Sequence, residues 1–190
     1  MGSIKAVSES VILVLGMGDI GGMYARQMKA LGATVIGVRR TNKEKPAWVD
    51  EQYTVDKLDE ALPRADVVAM VIPGGDATRH LIDARRLSLM KDGAYLINVG
   101  RGTAVNTEAL TEALRSGKLA GAALDVTDPE PLPADHPLWD MDNVIITPHA
   151  SGNYLLMGTL DRVVGILTEN FDNYVSGRPL INVVNRMLGY

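Results

Sequence analysis

The stretch VILVLGMGDIGGMYARQMKALGATVIGVRR, residues 11–40, decides the fold of this chain. Its first five residues are a continuous apolar run, which predicts a parallel strand buried on both faces. Gly16, Gly18 and Gly21 follow at once. In a GxGxxG turn these glycines permit a tight bend, the approach of a pyrophosphate to the backbone and close packing of helix on strand. We therefore predict a dinucleotide site, with Asp19 and Ile20 completing the turn before a helix over residues 20–31. The alternative is a glycine-rich turn that holds no ligand.

Two arginines after the second predicted strand (residues 34–38) bear on the choice of cofactor. NAD sites usually place a carboxylate there to bind the ribose 2′-hydroxyl, but this chain has Arg39 and Arg40. A guanidinium binds a 2′-phosphate through two parallel hydrogen bonds. We therefore predict a preference for NADP, with NAD still possible and Lys43 as an outer member of the anion site. The alternative is a pair of solvated arginines at the start of a polar loop.

Composition sets limits on the remaining functions. The chain has 190 residues, a net charge of −4 and no cysteine, so disulfides, cysteine metal sites and thiol catalysis are excluded. Neither a global basic surface for nucleic acid nor an apolar run of membrane-spanning length is evident, and the first residues show no signal-peptide pattern. We expect a cytoplasmic protein without nucleic-acid or membrane partners and without a metal site.

Strand and helix patterns alternate along the chain, which predicts an α/β fold with a Rossmann-type doubly wound parallel sheet and a C-terminal helical extension. We expect a linker over residues 1–10, a dinucleotide-binding domain over 11–152 and a helix with tail over 153–190. The other predicted elements are a third strand around Tyr53 and Val55, helices at 57–62, 78–86, 107–116 and 154–175, strands at 67–72, 94–99, 119–124 and 144–146, and an extended segment at 177–184.

Polar residues after the predicted strands form a candidate catalytic set, because ligands of open α/β sheets bind beyond the carboxyl ends of the strands. Arg101, Glu130 and His149 all hold such positions. Reduction of a ketone by hydride needs a general acid, for which an imidazolium beside a carboxylate is suited, and an arginine to hold a substrate carboxylate. Asp125 is expected either to bind the nicotinamide carboxamide or to cap the following turn.

The motifs together resemble the D-isomer-specific 2-hydroxyacid dehydrogenases. The matching segments are GMGDIG at 16–21, the stretch 73–78, INVGRGTAVNTEAL at 97–110, GAALDVTDPEPLP at 121–133, HPLW at 136–139 and NVIITPHASG at 143–152. The resemblance implies that Arg101, Glu130 and His149 are the family's catalytic set. It also implies that Asp125 lies beside the nicotinamide, that Pro73 and Thr78 flank the adenosine, and that the chain forms a homodimer through the cofactor domain.

The family's N-terminal substrate domain has no counterpart in this sequence. We therefore expect the chain to be the cofactor half of a longer enzyme that interconverts a small 2-oxo acid and its D-2-hydroxy acid, and to be inactive alone. Residues 153–190 would complete the substrate domain of the full-length protein. The alternative function is a nucleotide-sensing or corepressor-like binding module, since the family resemblance extends to corepressors that keep the same three residues.

Overall fold

A wholly parallel, seven-stranded sheet is the scaffold of the protein. The computed structural model describes residues 5–152 and 157–186. The strands are β1 (Val11–Leu15), β2 (Thr34–Arg39), β3 (Glu51–Thr54), β4 (Val67–Met70), β5 (Ala94–Asn98), β6 (Leu119–Leu124) and β7 (Val144–Ile146). The α-helices are α1 (Asp19–Ala30), α2 (Leu58–Ala61), α3 (Ala84–Leu89), α4 (Thr107–Arg115) and α5 (Met157–Val175). The predicted Rossmann-type fold is confirmed.

The strand order, β3-β2-β1-β4-β5-β6-β7, places the switch point of the sheet between β1 and β4. From β1 the chain adds strands on one side, then returns to add β4 to β7 on the other. At such a switch point the two flanking loops diverge and leave a crevice beyond the carboxyl ends of the strands. The glycine-spaced turn follows β1 directly, so the fold places it at this crevice.

The two faces of the sheet are covered unequally. Helices α2, α3 and α4 contribute Leu58, Leu87 and Leu110 to a large apolar core on one face, whereas α1 packs with β1 and β2 in a smaller core on the other. Right-handed crossovers account for this difference, because every connection from β3 to β7 runs in the same direction across the sheet.

One row of paired residues crosses the face on which α1 lies. The row runs through Val14, Ala69, Ile97, Ala123 and Ile145. Val14 is fully buried, Ile97 and Ala123 are partly exposed, and Ile145 is 66% exposed. We call the four residues Tyr95, Ile97, Ala123 and Ile145 the bare sheet face, since Tyr95 is also 51% exposed.

The predicted helix over residues 78–86 is wrong. Backbone N–H groups of His80 and Ile82 donate to the carbonyls of Thr103 and Ala104 at 2.8 and 2.9 Å, which draws this segment into a bridge with a distant part of the chain. The helix begins only at Ala84, where the Asp83 carboxylate accepts a hydrogen bond from the N–H of Arg86 at 2.8 Å. Long-range pairing, invisible to local periodicity, overrides the helical pattern.

Smaller differences concern element ends. Val55 begins a 3-10 turn and does not extend the third strand, and β4 ends at Met70, two residues before the predicted end. The predicted extended segment at 177–184 bends at residues 181–182, where Asn182 has a φ of 53°. The first predicted residues of the last helix, 154–156, lie outside the described residues.

The chain divides into two compact units, residues 1–148 and 149–190. In the second unit, Asn170 fixes the tail to α5: its Oδ1 accepts from the N–H of Ile181 at 2.8 Å and its Nδ2 donates to the Ile181 carbonyl at 3.1 Å. Leu160, Val164 and Leu167 are exposed on α5. Within residues 5–152 and 157–186, no helix combines the length and apolarity needed to span a membrane.

Asp66 fixes the amino-terminal edge of the sheet. Its carboxylate accepts from the N–H of Val11 at 2.7 Å and forms ion pairs with Lys5 and Lys91 at 2.7 and 3.0 Å. Desolvation alone would raise the pKa of Asp66, but these hydrogen bonds and charges outweigh it and lower the pKa from 3.8 to about 2. The charged carboxylate therefore stabilises the folded state above about pH 4, and this contribution is lost as the pH falls from about 4 to about 2.

We predict that Asp66→Asn lowers the free energy of unfolding by about 1–2 kcal/mol at pH 7 and by little at pH 2. Urea unfolding across this pH range measures the difference. Asp92→Asn is the control, because Asp92 pairs with Lys118 while 91% exposed. An equal loss for Asp66→Asn at both pH values would contradict the assignment.

Candidate functional site

The turn after β1 can be built only from glycine at two of its positions. Gly16 has a φ of 106°, and a Cβ added there would lie 2.4 Å from the Val71 carbonyl oxygen. A Cβ on Gly21 would lie 1.8 Å from the Gly16 carbonyl oxygen. These approaches hold the first turn of α1 directly against the end of β1, as the sequence analysis predicted for the first and third glycines.

Gly18 differs, because a Cβ at this position would meet no atom within 4 Å. It is the N-cap of α1, and in the described part of the chain no side chain caps this helix end. The N–H groups of the first turn therefore point, with the positive end of the helix dipole, into open space. Such an opening fits the pyrophosphate of a dinucleotide, which needs backbone donors and the absence of a side chain.

A cleft of about 430 Å³ extends from this helix end along α1 to the loop after β2. It is lined by Met17, Gly18, Asp19, Gly22, Met23, Arg26, Arg39, Lys43, Pro46 and Trp48. Arg39 ends β2 half-buried, and its Nη2 donates to the Met17 carbonyl at 3.3 Å. Arg39 and Lys43 thus lie in the same cleft as the glycine turn. Arg40 is not among the described residues that line the cleft.

Six of the lining residues were not singled out from the sequence, Arg26 and Trp48 among them. The guanidinium of Arg26, on α1, lies over the Trp48 ring at 5.8 Å from its centroid. The spacing of Asp19, Gly22, Met23 and Arg26, at i, i+3, i+4 and i+7, could have indicated that these residues share the helix face that follows the glycine turn.

The loop after β4 is closed by Thr78. Its hydroxyl has two acceptors, the carbonyls of Pro73 at 2.9 Å and Gly75 at 3.1 Å. Pro73 and Thr78 are therefore joined within one tight loop beyond the carboxyl end of β4, across the switch point from the glycine turn. Their predicted role beside the adenosine stays a prediction.

Arg101 stands in a rigid turn after β5. Added Cβ atoms on Gly100 and Gly102 would lie 2.6 Å from the Ile72 carbonyl oxygen and 1.8 Å from the Thr127 carbonyl oxygen. Asn98, 1% exposed, accepts from the N–H of Gly100 and donates to the Arg101 carbonyl, both at 3.0 Å. Asn98 was not singled out from the sequence, although a polar residue ending an apolar strand is a signal for such a role.

Asp125, at the end of β6, is 5% exposed and accepts from the Thr147 hydroxyl at 2.6 Å. Its N–H donates to the Asn98 carbonyl at 2.9 Å. The carboxyl ends of β5, β6 and β7 are thereby linked by hydrogen bonds. The predicted contact of Asp125 with a nicotinamide and the alternative, a cap of the following turn, both stay predictions.

Glu130 is exposed in the loop after β6. The buried Thr107 at the start of α4 donates to the Asp128 carbonyl at 2.6 Å, and Gly102 packs on Thr127. The loop that carries Glu130 and the turn that carries Arg101 are therefore packed together in the first unit.

His149 is the first residue of the second unit. It is exposed and has a φ of 52°. Few residues other than glycine adopt this left-handed conformation, and those that do are concentrated at functional sites. The pairing of His149 with Glu130 stays a prediction.

We predict that two glycine substitutions in the turn affect different properties, nucleotide binding in one case and stability in the other. Gly18→Ala adds a methyl group into open space, so the fold remains stable while nucleotide binding weakens. Gly21→Ala forces a methyl group into the Gly16 carbonyl and lowers stability by roughly 1–3 kcal/mol or more. Thermal melts and calorimetric titration of NADPH measure the two effects. Unchanged nucleotide affinity in Gly18→Ala would contradict the proposed phosphate site.

Curated relatives match almost the whole chain. An uncharacterized protein of Corynebacterium melassecola is 39% identical over 94% of this chain and 58% of its own length. A glyoxylate reductase of Aeropyrum pernix is 38% identical over 91% of the chain and 51% of its own length. The chain thus spans little more than half the length of these relatives.

Solved structures give the same result. A D-isomer specific 2-hydroxyacid dehydrogenase from Xanthobacter autotrophicus Py2, in complex with NADPH and MES, is 36% identical and superposes with a TM-score of 0.90 over 100% of this chain and 76% of its own. An NADPH-dependent glyoxylate/hydroxypyruvate reductase from Sinorhizobium meliloti, in complex with NADP and sulfate, is 31% identical with a TM-score of 0.90, over 100% of this chain and 60% of its own. The family model of the D-isomer specific 2-hydroxyacid dehydrogenase NAD binding domain matches residues 2–151, so the chain belongs to this family through its cofactor-binding domain.

Proposed function

We propose that the chain is the cofactor-binding half of an NADP-preferring reductase that interconverts a small 2-oxo acid and its D-2-hydroxy acid. One observation carries the proposal: the open glycine turn shares a cleft with Arg39, while the loops bearing Arg101 and Glu130 pack at the carboxyl ends of the same sheet. The names of the relatives, glyoxylate and hydroxypyruvate reductases, support the substrate class.

The preference for NADP rests on the charge of the cleft. Arg39 ends β2, at the position where NAD sites usually carry a carboxylate. Its guanidinium offers paired donors to a dianionic 2′-phosphate but has no counterpart to bind in NADH. NADPH and NADP in the structures of the relatives are consistent with this assignment.

We predict that the chain binds NADPH at least about tenfold more tightly than NADH, since a charge-assisted hydrogen bond contributes about 1.5–3 kcal/mol. Arg39→Asp should reverse the order, because the new carboxylate repels a 2′-phosphate and accepts from a 2′-hydroxyl. Calorimetric titration gives both affinities, and Arg115→Asp, on the exposed surface of α4, is the control for net charge. Equal affinities in the unmodified chain would contradict the preference.

In the proposed reaction, NADPH would be held by the glycine turn and Arg39 and, when bound, would supply the hydride that reduces the substrate carbonyl. Arg101 binds the substrate carboxylate through its guanidinium and fixes the carbonyl for transfer. His149, as imidazolium, donates a proton to the carbonyl oxygen as negative charge develops there, and Glu130 stabilises the imidazolium. Asn98 keeps the Arg101 turn in place, and Asp125 is the acceptor for the nicotinamide carboxamide.

For a full-length protein that contains this chain, we predict that His149→Ala lowers the rate of 2-oxo acid reduction by about 10²–10⁴-fold, the usual contribution of a general acid. Arg101→Ala should raise KM and lower kcat together. The assay uses NADPH with glyoxylate and hydroxypyruvate across pH. His136→Ala is the control, since His136 caps the turn at Pro137–Asp140.

Near-normal turnover of His149→Ala at all pH values would refute its role as the acid. A full-length protein that binds NADPH but reduces no 2-oxo acid would instead favour the nucleotide-sensing or corepressor-like alternative.

The assembly and the role of the extension complete the proposal. We propose a cytoplasmic homodimer formed through the cofactor domain, supported by the apolar, exposed residues of the bare sheet face. Three exposed apolar residues of α5, Leu160, Val164 and Leu167, support association as well. Residues 153–190 complete a substrate domain in the full-length protein, and the chain alone, without that domain, is inactive.

A further inference from the structure

The cofactor cleft continues along α1 well beyond the glycine turn. Asp19, Gly22, Met23 and Arg26 line it from one face of the helix. Arg26 lies seven residues after Asp19, which places it about 10 Å further along the helix axis, away from the helix end that faces the pyrophosphate. The cleft therefore has a second end, formed by Arg26 together with residues from the loop after β2.

Gly22 keeps this surface open. A Cβ at Gly22 would meet no atom within 4 Å, so the protein itself does not require glycine at this position. Glycine inside a helix is less favourable than alanine, and its presence here is unexplained by packing. The missing side chain leaves room for a ligand between the two ends of the cleft.

Three cations, Arg26, Arg39 and Lys43, line the cleft. Arg26 is held over the Trp48 ring, and within residues 5–152 and 157–186 its guanidinium has no carboxylate or carbonyl partner. The ammonium of Lys43 is likewise without a partner in the described ranges. By contrast, Lys29 on the same helix is paired with Asp50 at 2.6 Å. Arg26 and Lys43 therefore keep their charge and hydrogen-bond donors available, and Arg39 uses one Nη2 donor on the Met17 carbonyl, whereas Lys29 is neutralised by Asp50.

We infer that Arg26, held over Trp48, is a specificity-determining residue that binds the 2′-phosphate of NADP together with Arg39 and Lys43, and that Gly22 provides the space for the phosphorylated ribose. This inference rests on the proposed NADP site and adds to it a residue outside the loop after β2. A dianionic phosphate complements three cations that line one cleft, and the only acidic residue of the described lining, Asp19, is about 10 Å from Arg26 along the helix axis.

The stacking on Trp48 gives Arg26 its advantage over a freely moving side chain. A guanidinium over an aromatic face is oriented while its edge, with the N–H donors, stays accessible. The loop after β2 thus contributes two residues to the phosphate site. Lys43 binds the phosphate directly, and Trp48 positions Arg26.

The test is calorimetric titration of the chain and its variants with NADPH, NADH, adenosine 2′,5′-bisphosphate and AMP. Arg26→Gln should weaken the binding of NADPH and of the bisphosphate by about fivefold or more. It should weaken the binding of NADH and of AMP by less than about twofold. Trp48→Leu should cause a smaller loss of affinity, again for NADPH and the bisphosphate more than for NADH and AMP. Lys29→Gln removes the same charge from the same helix outside the cleft and should leave all four affinities near those of the unmodified chain.

Gly22→Leu supplies a second, independent variant. The melting temperature should stay near that of the unmodified chain, because the new side chain enters open space. The binding of NADPH and of the bisphosphate should weaken. If the unmodified chain prefers NADPH and Arg26→Gln or Gly22→Leu leaves that preference intact, the inference is overturned while the NADP proposal stands. If the unmodified chain binds neither nucleotide, the proposed function itself fails.

Discussion

The close approach of Gly21 to Gly16 is the constraint on which the site depends. A Cβ added at Gly21 would lie only 1.8 Å from the Gly16 carbonyl oxygen, so any other residue would push α1 away from the end of β1. The helix end, the opening above Gly18 and the cleft along α1 all keep their places because this one packing distance is so short. The chain thereby presents backbone donors to a ligand at the switch point of the sheet, where no side chain could do so.

A second constraint orders the opposite half of the crevice. Asn98, Asp125 and Thr147, at the ends of three neighbouring strands, are connected by hydrogen bonds. Asn98 and Asp125 are buried while Thr147 is exposed. A buried polar group is stable only when its partners are in place, so the bonds of Asn98 and Asp125 fix the three loops together. Arg101 and the loop of Glu130 are positioned by that network, and the shape of the site follows from hydrogen bonding within the sheet as much as from the glycine turn.

Local patterns and long-range contacts explain what the sequence could and could not predict. The β1–α1–β2 unit, helix α4 and strand β6 were predictable because each is set by glycines, caps or apolar runs within a few residues. The cap of α4 is Asn106, whose side chain accepts from the N–H of Ala109. The helix at 78–86 was mispredicted because its first half pairs with residues 103–105. Arg26 and Trp48 were missed because they are separated by 22 positions and meet only when the loop after β2 folds onto α1. The pairing of Glu130 with His149 remains a prediction of the family resemblance.

A crystal structure of the chain grown with NADPH would show the cofactor site itself. We predict that the pyrophosphate oxygens accept hydrogen bonds from the backbone N–H groups of the turn at residues 18–21 and that the 2′-phosphate lies against Arg39 in the cleft along α1. Density for the pyrophosphate away from that turn, or a 2′-phosphate directed to solvent, would contradict it.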